Sequence, residues 1–256
     1  MACLHRTRAL VAVAALVLAG GCTDGAPVEA EGAGRPVETG TGPDGGPGGG
    51  SRDVYVAMGA SDTTGEELPD PIGQAWPWLL RERMFPDHEY VNVGVGGAPL
   101  SAALLDQLPR ALDAGPDVVS IWLNGNDILI GVAPEDYEVQ LTRLLAELDG
   151  AELILVGNAP AWDRFPALRA CAPDAPRRDD RCFWRGLPPP DDLRRIIAEY
   201  NRIIARVVRR AGAELVDLRA RAGGPGDLAT MTVEDGLHWT PQGHRVLASR
   251  FAAAAR

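Results

Sequence analysis

The chain has 256 residues and a formal net charge of −10, with 35 acids set against 25 basic residues, all of them arginine. That length bounds one core of ordinary size plus a tail. The acidic balance excludes a nucleic-acid binder built on a basic patch and a surface held to anionic lipid by charge alone.

Met1 to Arg8 carries two arginines and no acid, Ala9 to Ala19 is uninterrupted apolar, and Ala19-Gly20-Gly21 precede Cys22. A charged start, a short apolar run and a small-residue cleavage site read as a secretory signal over residues 1–21. The run is too short for a spanning helix of ~20 residues. Leu18-Ala-Gly-Gly-Cys22 resembles the lipobox of bacterial lipoproteins, with Ala19 where leucine is usual. The resemblance implies that Cys22 is lipidated and that the chain is exported and anchored on the extracytoplasmic face of the cell membrane. Plain secretion is the alternative. Residues 22–52 are rich in Gly, Pro, Glu and Ala and hold almost no large apolar side chain, so they read as a disordered tether. The folded domain is expected over residues 53–256.

Within that domain, Val54–Met58 reads as a strand that runs out into the small, polar stretch Gly59-Ala-Ser-Asp-Thr63. Ile72–Met84 is expected to be helical. Glu89–Val93 reads as a second strand, followed by the turn Gly94-Val-Gly-Gly97. Leu100, Leu104, Leu105, Leu108 and Leu112 recur at helical spacing, with Pro109 set to disturb or end that helix. Asp117–Leu123 is a continuous apolar strand of the kind buried in a parallel sheet, closed by Asn124-Gly-Asn-Asp127. Pro134–Leu148 reads as an amphipathic helix with proline and acids in its first turn, and Glu152–Val156 as the next strand. Residues 161–190 read as a long loop, a candidate wall of the site, pinned by a disulfide between Cys171 and Cys182. Loop-closure entropy assigns such a bond roughly 3 kcal/mol. Asp191–Arg210 is the clearest helix, Glu214–Val216 a short strand, and Pro241–Ala254 the closing helix. Strands and helices alternate about five times. That predicts a three-layer α/β/α sandwich with a mostly parallel, flavodoxin-like sheet of about five strands.

The loops after the strands carry the chemistry-bearing residues. Ser61 reads either as a turn or helix cap or as a nucleophile at the carboxyl end of the first strand. A nucleophilic serine needs an imidazole to take its proton and a carboxylate to hold that imidazole in the right tautomer. Asp235-Gly-Leu-His238, on a turn before the last helix, can set a carboxylate beside a ring nitrogen. His244 competes for the base role but would lie inside that helix. Gly94, Gly96 and Gly97 can present backbone N–H groups with no side chain in the way, and the Asn126 amide is a further donor. Tight turns and an Asx-turn are the structural alternatives for these residues. Trp122 and Trp239 flank the motifs as pocket walls or as core. Only His88, His238 and His244 lie beyond the signal, and there is no Cys-x-x-Cys, so the usual spacing of a zinc site is missing.

The order strand–Ser, strand–Gly, strand–Asn, then Asp-x-x-His before the final helix resembles the SGNH hydrolases, the GDSL esterase/lipase family, across nearly all of residues 53–256. Gly59-Ala-Ser-Asp62 stands where the family has Gly-Asp-Ser, Asn92-Val-Gly-Val-Gly-Gly97 is similar to its second block, and Asn124-Gly-Asn-Asp127 matches Gly-x-Asn-Asp except at the first position. The resemblance implies Ser61, His238 and Asp235 as a catalytic triad. It implies an oxyanion hole from Ser61, Gly97 and Asn126, and no metal or organic cofactor. The implied substrate is a small-molecule, lipid or acylated-glycan ester, with a monomer as the expected state. The implied activity is ester hydrolysis. An acyltransferase or deacetylase on cell-envelope polysaccharide, or a catalytically idle glycan- or lipid-binding module, are the alternatives. Ala60 replaces the family's aspartate, and Asn124 replaces a glycine beside the site. The missing second glycine of Gly-x-Ser-x-Gly disfavours the nucleophile elbow of α/β-hydrolases.

Overall fold

The aliphatic runs become the strands of one sheet in the computed structural model, which describes residues 52–172, 182, 187–219 and 230–256. The signal peptide, Cys22 and the tether expected over residues 1–52 lie outside the described residues, save for Arg52. Among the described residues, no helix is long and apolar enough to cross a membrane.

β1 (Val54–Gly59) is followed by a single helical turn, α1 (Ser61–Thr64), and by α2 (Trp76–Met84). β2 (Glu89–Asn92) leads to two short helices, α3 (Leu100–Leu105) and α4 (Gln107–Asp113). β3 (Val118–Trp122), α5 (Gly125–Ile130), α6 (Pro134–Glu147) and β4 (Leu153–Gly157) come next. A 3₁₀ turn at Trp162–Arg164 and α7 (Pro166–Ala170) precede α8 (Pro190–Arg210), β5 (Glu214–Val216) and α9 (Pro241–Ala254). The sheet order is β2-β1-β3-β4-β5 and every pairing is parallel. This is the expected flavodoxin-like, doubly wound arrangement.

Right-handed crossovers fix which face each helix covers. Moving outward from β1 to β2 puts α2 on one face. The three later crossovers run the other way and put α4, α6 and α8 on the opposite face. The packing agrees, since α9 lies against α2, and α6 lies against α8 and α3. Trp76 of α2 stacks on Phe251 of α9 with ring centroids 4.1 Å apart, and both are fully buried. On the other face, α8 buries Leu193, Ile197, Tyr200, Ile203, Ile204, Val207 and Val208 along one stripe. The direction reverses between β1 and β3, and the loops after those two strands therefore diverge and leave a crevice.

Four local expectations need correction. The helix read as Ile72–Met84 starts at Trp76, because Asp70 builds a turn there, accepting from Gly73 and Gln74. Pro77 then falls at its first turn, where a missing N–H costs nothing. The helix read as Leu100–Leu112 is two helices that break at Asp106. Pro109 could not have bonded to the Leu105 carbonyl, so the chain restarts and places the proline in a new first turn. Asn124-Gly-Asn-Asp127 does more than close β3, because its last three residues open α5. Residues 161–170, read as loop, hold the 3₁₀ turn and α7. The expected Cys171–Cys182 disulfide is present.

Gly59 ends β1 under a steric constraint. A Cβ there would lie 1.9 Å from Thr63 Oγ1 and 2.6 Å from Thr63 Cβ, and Thr63 is fully buried and cannot swing away. Gly59→Ala is expected to destabilise the domain by about 1–3 kcal/mol, lowering Tm by roughly 3–10 °C in a chain of this size. An unchanged Tm in thermal unfolding would contradict that packing.

Candidate active site

The turn Val233–His238 is held before its histidine is used. Thr232 bridges Trp239 in antiparallel fashion, and the Val233 N–H donates to the His238 carbonyl. Gly236 sits at φ +73°, with space for a Cβ blocked 2.7 Å away by Pro166, and its carbonyl accepts from the Ala167 N–H. The helix α7 is thus the shelf on which the turn rests. Asp235 uses both carboxylate oxygens. Oδ1 accepts from the Leu237 and His238 N–H groups at 2.7 and 3.0 Å, and Oδ2 lies 2.5 Å from His238 Nδ1. A carboxylate can only accept, so Nδ1 carries the proton and the Nε2 lone pair is left for chemistry.

A second carboxylate reaches the same region. Asp62, the residue after Ser61, accepts from the Trp239 N–H at 3.4 Å, which ties the loop after β1 to the loop before α9. Burial pushes the Asp62 pKa up to about 6, against the pull of His238 and the Trp239 N–H. Burial alone would lower the His238 pKa. The Asp62 carboxylate and the hydrogen-bonded Asp235 outweigh it, with a smaller contribution from Glu66, and hold the imidazole above its ordinary value. His244, the rival base, is fully buried in α9. Its Nδ1 accepts from the Trp76 N–H at 3.1 Å. Burial, then the nearby His238, push its pKa down to about 4. It is a neutral core residue that starts α2.

Ser61 is the first residue of α1 and lines a cleft with Asn126, Trp122, Trp162, Leu129 and Leu237. Neither its hydroxyl nor His238 Nε2 hydrogen bonds to a described residue. Nucleophile–base contacts are often long without substrate and tighten when it binds. The donors predicted for the oxyanion lie on neighbouring turns. Asn126 Nδ2 donates to the Ala98 carbonyl at 3.2 Å, and both Asp127 oxygens accept from the Leu100 N–H at 3.1 Å. Two successive residues therefore clamp the segment just after Gly97. Gly97 itself is exposed, sits at φ +72° and keeps its N–H free of described partners. The Gly94 N–H is taken by Asn92 Oδ1, while Asn92 Nδ2 donates to the Thr63 carbonyl, so Gly94 is a turn residue. Ser61 and Asn126 share the cleft, whereas Gly97 lies beside Asn126 and outside the cleft wall.

Several contributors were not singled out from sequence. Gln107 is fully buried on α4, where Nε2 donates to the Gly59 carbonyl at 2.9 Å and Oε1 accepts from the Gly59 N–H at 3.0 Å. Trp162 lines the cleft and stacks on Trp122 at 6.1 Å. No local pattern marks either residue, since each acts across long sequence separations. Trp239 is buried in the core beside Phe165. Among the described residues, no cluster of His, Cys, Asp and Glu could hold a metal ion.

Comparison with known proteins gives a consistent picture. The model of the GDSL-like lipase/acylhydrolase family matches residues 57–246. Esterase TesA of Pseudomonas aeruginosa is 33% identical over 102 residues, which are 38% of this chain and 50% of that esterase. The chain thus spans about half the length of the curated relative it matches. Among solved structures, TesA superposes with a TM-score of 0.60 at 21% identity, covering 80% of this chain and 98% of that one. A lipase/acylhydrolase from Enterococcus faecalis gives 0.59 at 18% identity, covering 78% and 94%. At these identities the solved structures speak for the fold.

In an NMR titration the His238 ring is expected to titrate above its ordinary 6.5. Asp62→Asn should lower that pKa, because burial then meets less opposition. A His238 pKa at or below 6.5 in the wild type, or one unmoved by Asp62→Asn, would contradict the electrostatics given above.

Proposed function

The chain belongs to the GDSL-like lipase/acylhydrolase family, and from that premise we propose that it is a serine esterase working through an acyl-enzyme on Ser61. The observation that carries the proposal is the Asp235–His238 pair, whose carboxylate fixes both the backbone of its turn and the ring tautomer.

His238 Nε2 removes the proton from Ser61 Oγ as the oxygen attacks the ester carbonyl carbon. Negative charge moves onto the carbonyl oxygen, and the donors assigned to it are the N–H groups of Ser61 and Gly97 and the Asn126 amide. The tetrahedral intermediate collapses, the C–O bond to the alcohol breaks, and His238 returns the proton to the leaving oxygen. Water then attacks the acyl-enzyme with the same base. The carboxylic acid departs and the Ser61 hydroxyl is restored. Asp235 holds the ring through Nδ1 and stabilises the imidazolium. Asp62 adds to that stabilisation from the serine's own loop. Only the neutral ring can accept a proton, so turnover rises as pH climbs through the elevated His238 pKa. The substrates are carboxylic esters of small molecules.

A fluorophosphonate probe is expected to label the wild type and to fail on Ser61→Ala. His238→Ala should lower kcat on a p-nitrophenyl ester by about 10⁶, as in other serine hydrolases, and Asn126→Ala by about 10²–10³. Labelling that persists in Ser61→Ala would sink the assignment.

A further inference from the structure

β2 ends before its neighbour β1 does, and a side chain takes over where it stops. Ala57 of β1 lies opposite Asn92, and the Val93 N–H donates to the Ala57 carbonyl at 3.0 Å. A regular parallel ladder would repeat that pattern two residues on. It would send the Gly59 N–H to the Val93 carbonyl and bring the Val95 N–H to the Gly59 carbonyl. Of these two bonds only the second forms, at 3.1 Å. The Gly59 N–H donates to Gln107 Oε1 at 3.0 Å, and Gln107 Nε2 donates to the Gly59 carbonyl at 2.9 Å. The Val93 carbonyl meets Arg110 Nη1 instead, at 3.5 Å. A primary amide offers an acceptor and donors much as a peptide group does. Gln107 therefore stands in for the peptide that β2 no longer supplies.

The clamp sits close to the nucleophile. Gly59 is followed by Ala60, whose carbonyl accepts from the Thr63 and Thr64 N–H groups and so starts α1, and then by Ser61. Gln107 is fully buried and opens α4 just past the break at Asp106, so its amide is held from a packed helix rather than from a loop. The chain after β2 has to leave the sheet for the cleft to open, and the end of β1 has to stay fixed for Ser61 to be aimed. Accepting the esterase reading above, we propose that Gln107 is a positioning residue for Ser61, and that it acts through both halves of its amide, the acceptor on the Gly59 N–H and the donor on the Gly59 carbonyl. It touches no reacting atom. Its effect passes along the backbone from Gly59 to the serine.

Two substitutions separate this role from packing alone. Gln107→Met keeps the shape and removes both hydrogen bonds. It is expected to lower kcat on p-nitrophenyl acetate by about tenfold to a hundredfold, the scale of a small misplacement of a reacting group, with KM changed by less than about threefold. Gln107→Glu keeps the shape and makes the donor depend on pH. Its neutral carboxyl can donate to the Gly59 carbonyl and accept from the Gly59 N–H, whereas its ionised form only accepts. Burial holds such a carboxyl neutral above the ordinary carboxylate range. Wild-type turnover rises with pH through the elevated His238 pKa and then levels. The Gln107→Glu profile should rise and then fall, by about tenfold or more, as the introduced carboxyl ionises. The charged groups nearby are Asp106 and Arg110, paired with each other on α4, and Asp62 on the serine loop. The substitution changes none of them, so the falling limb belongs to position 107. Circular dichroism over the same pH range is expected to show the fold intact. A Gln107→Met kcat lowered by less than tenfold, a loss carried by KM, a Gln107→Glu profile that levels like the wild type, or a falling limb that tracks unfolding would overturn the positioning role and leave the esterase reading intact. No Ser61-dependent turnover by the wild type would overturn that reading and this role with it.

Discussion

The backbone of Gly59 is where the site is fixed. Its N–H and carbonyl are both held by the buried Gln107 amide, and the same carbonyl also accepts from Val95 N–H. On its other side Gly59 pairs with Trp122 at the end of β3. Three segments thus meet at one residue: the strand leading to Ser61, the turn leading to Gly97, and the strand leading to Asn126. The absent side chain lets Thr63 close over the strand end. Asn92 adds a tie from the Gly97 turn back to Thr63, and Asn126 and Asp127 add two more from α5 to residues 98–100. In the proposed mechanism, donors held this way do not need to reorganise when charge develops beside them.

The histidine arrives from the far end of the chain, and electrostatics as well as packing bring it in. The turn carrying it is docked on α7 through Gly236 and reaches the serine loop through the Trp239 N–H and Asp62. Burial disfavours the imidazolium, and two carboxylates on opposite loops favour it. The proposed chemistry uses that balance, because the base must gain charge during the reaction in a place that water does not fully reach. Asp127, also buried and raised to about 6 mainly by burial, opens α5 and acts through the Leu100 N–H it holds.

Most of the architecture was legible in the sequence. Continuous aliphatic runs between helical patterns leave few topologies once right-handed crossovers are required, and α8 and α9 carry unambiguous spacing and proline starts. Asp235 and His238 were legible because their interaction is local, three residues apart on one turn. The errors came from residues whose meaning depends on distant partners. Ile72 looked helical but lies in a turn built by Asp70 and is largely exposed. Pro109 does disturb its helix as its sequence predicts, but the break falls at Asp106, set by the carbonyl the proline cannot serve. Gln107 reads as an ordinary polar helix residue until its partner, 48 positions away, is known. Asp235 holds the ring from three residues away, whereas Asp62 reaches the His238 turn only through a contact spanning 177 positions, which no local pattern marks.

The claim that everything converges on Ser61 is most directly tested by trapping the intermediate. Acid quench of the wild-type protein during turnover of p-nitrophenyl acetate, followed by peptide mass mapping, is expected to show one acetyl group on the peptide containing Ser61. A burst of p-nitrophenol equal to one per protein molecule should accompany it. Acetyl on another residue, or turnover with neither burst nor adduct, would contradict the account.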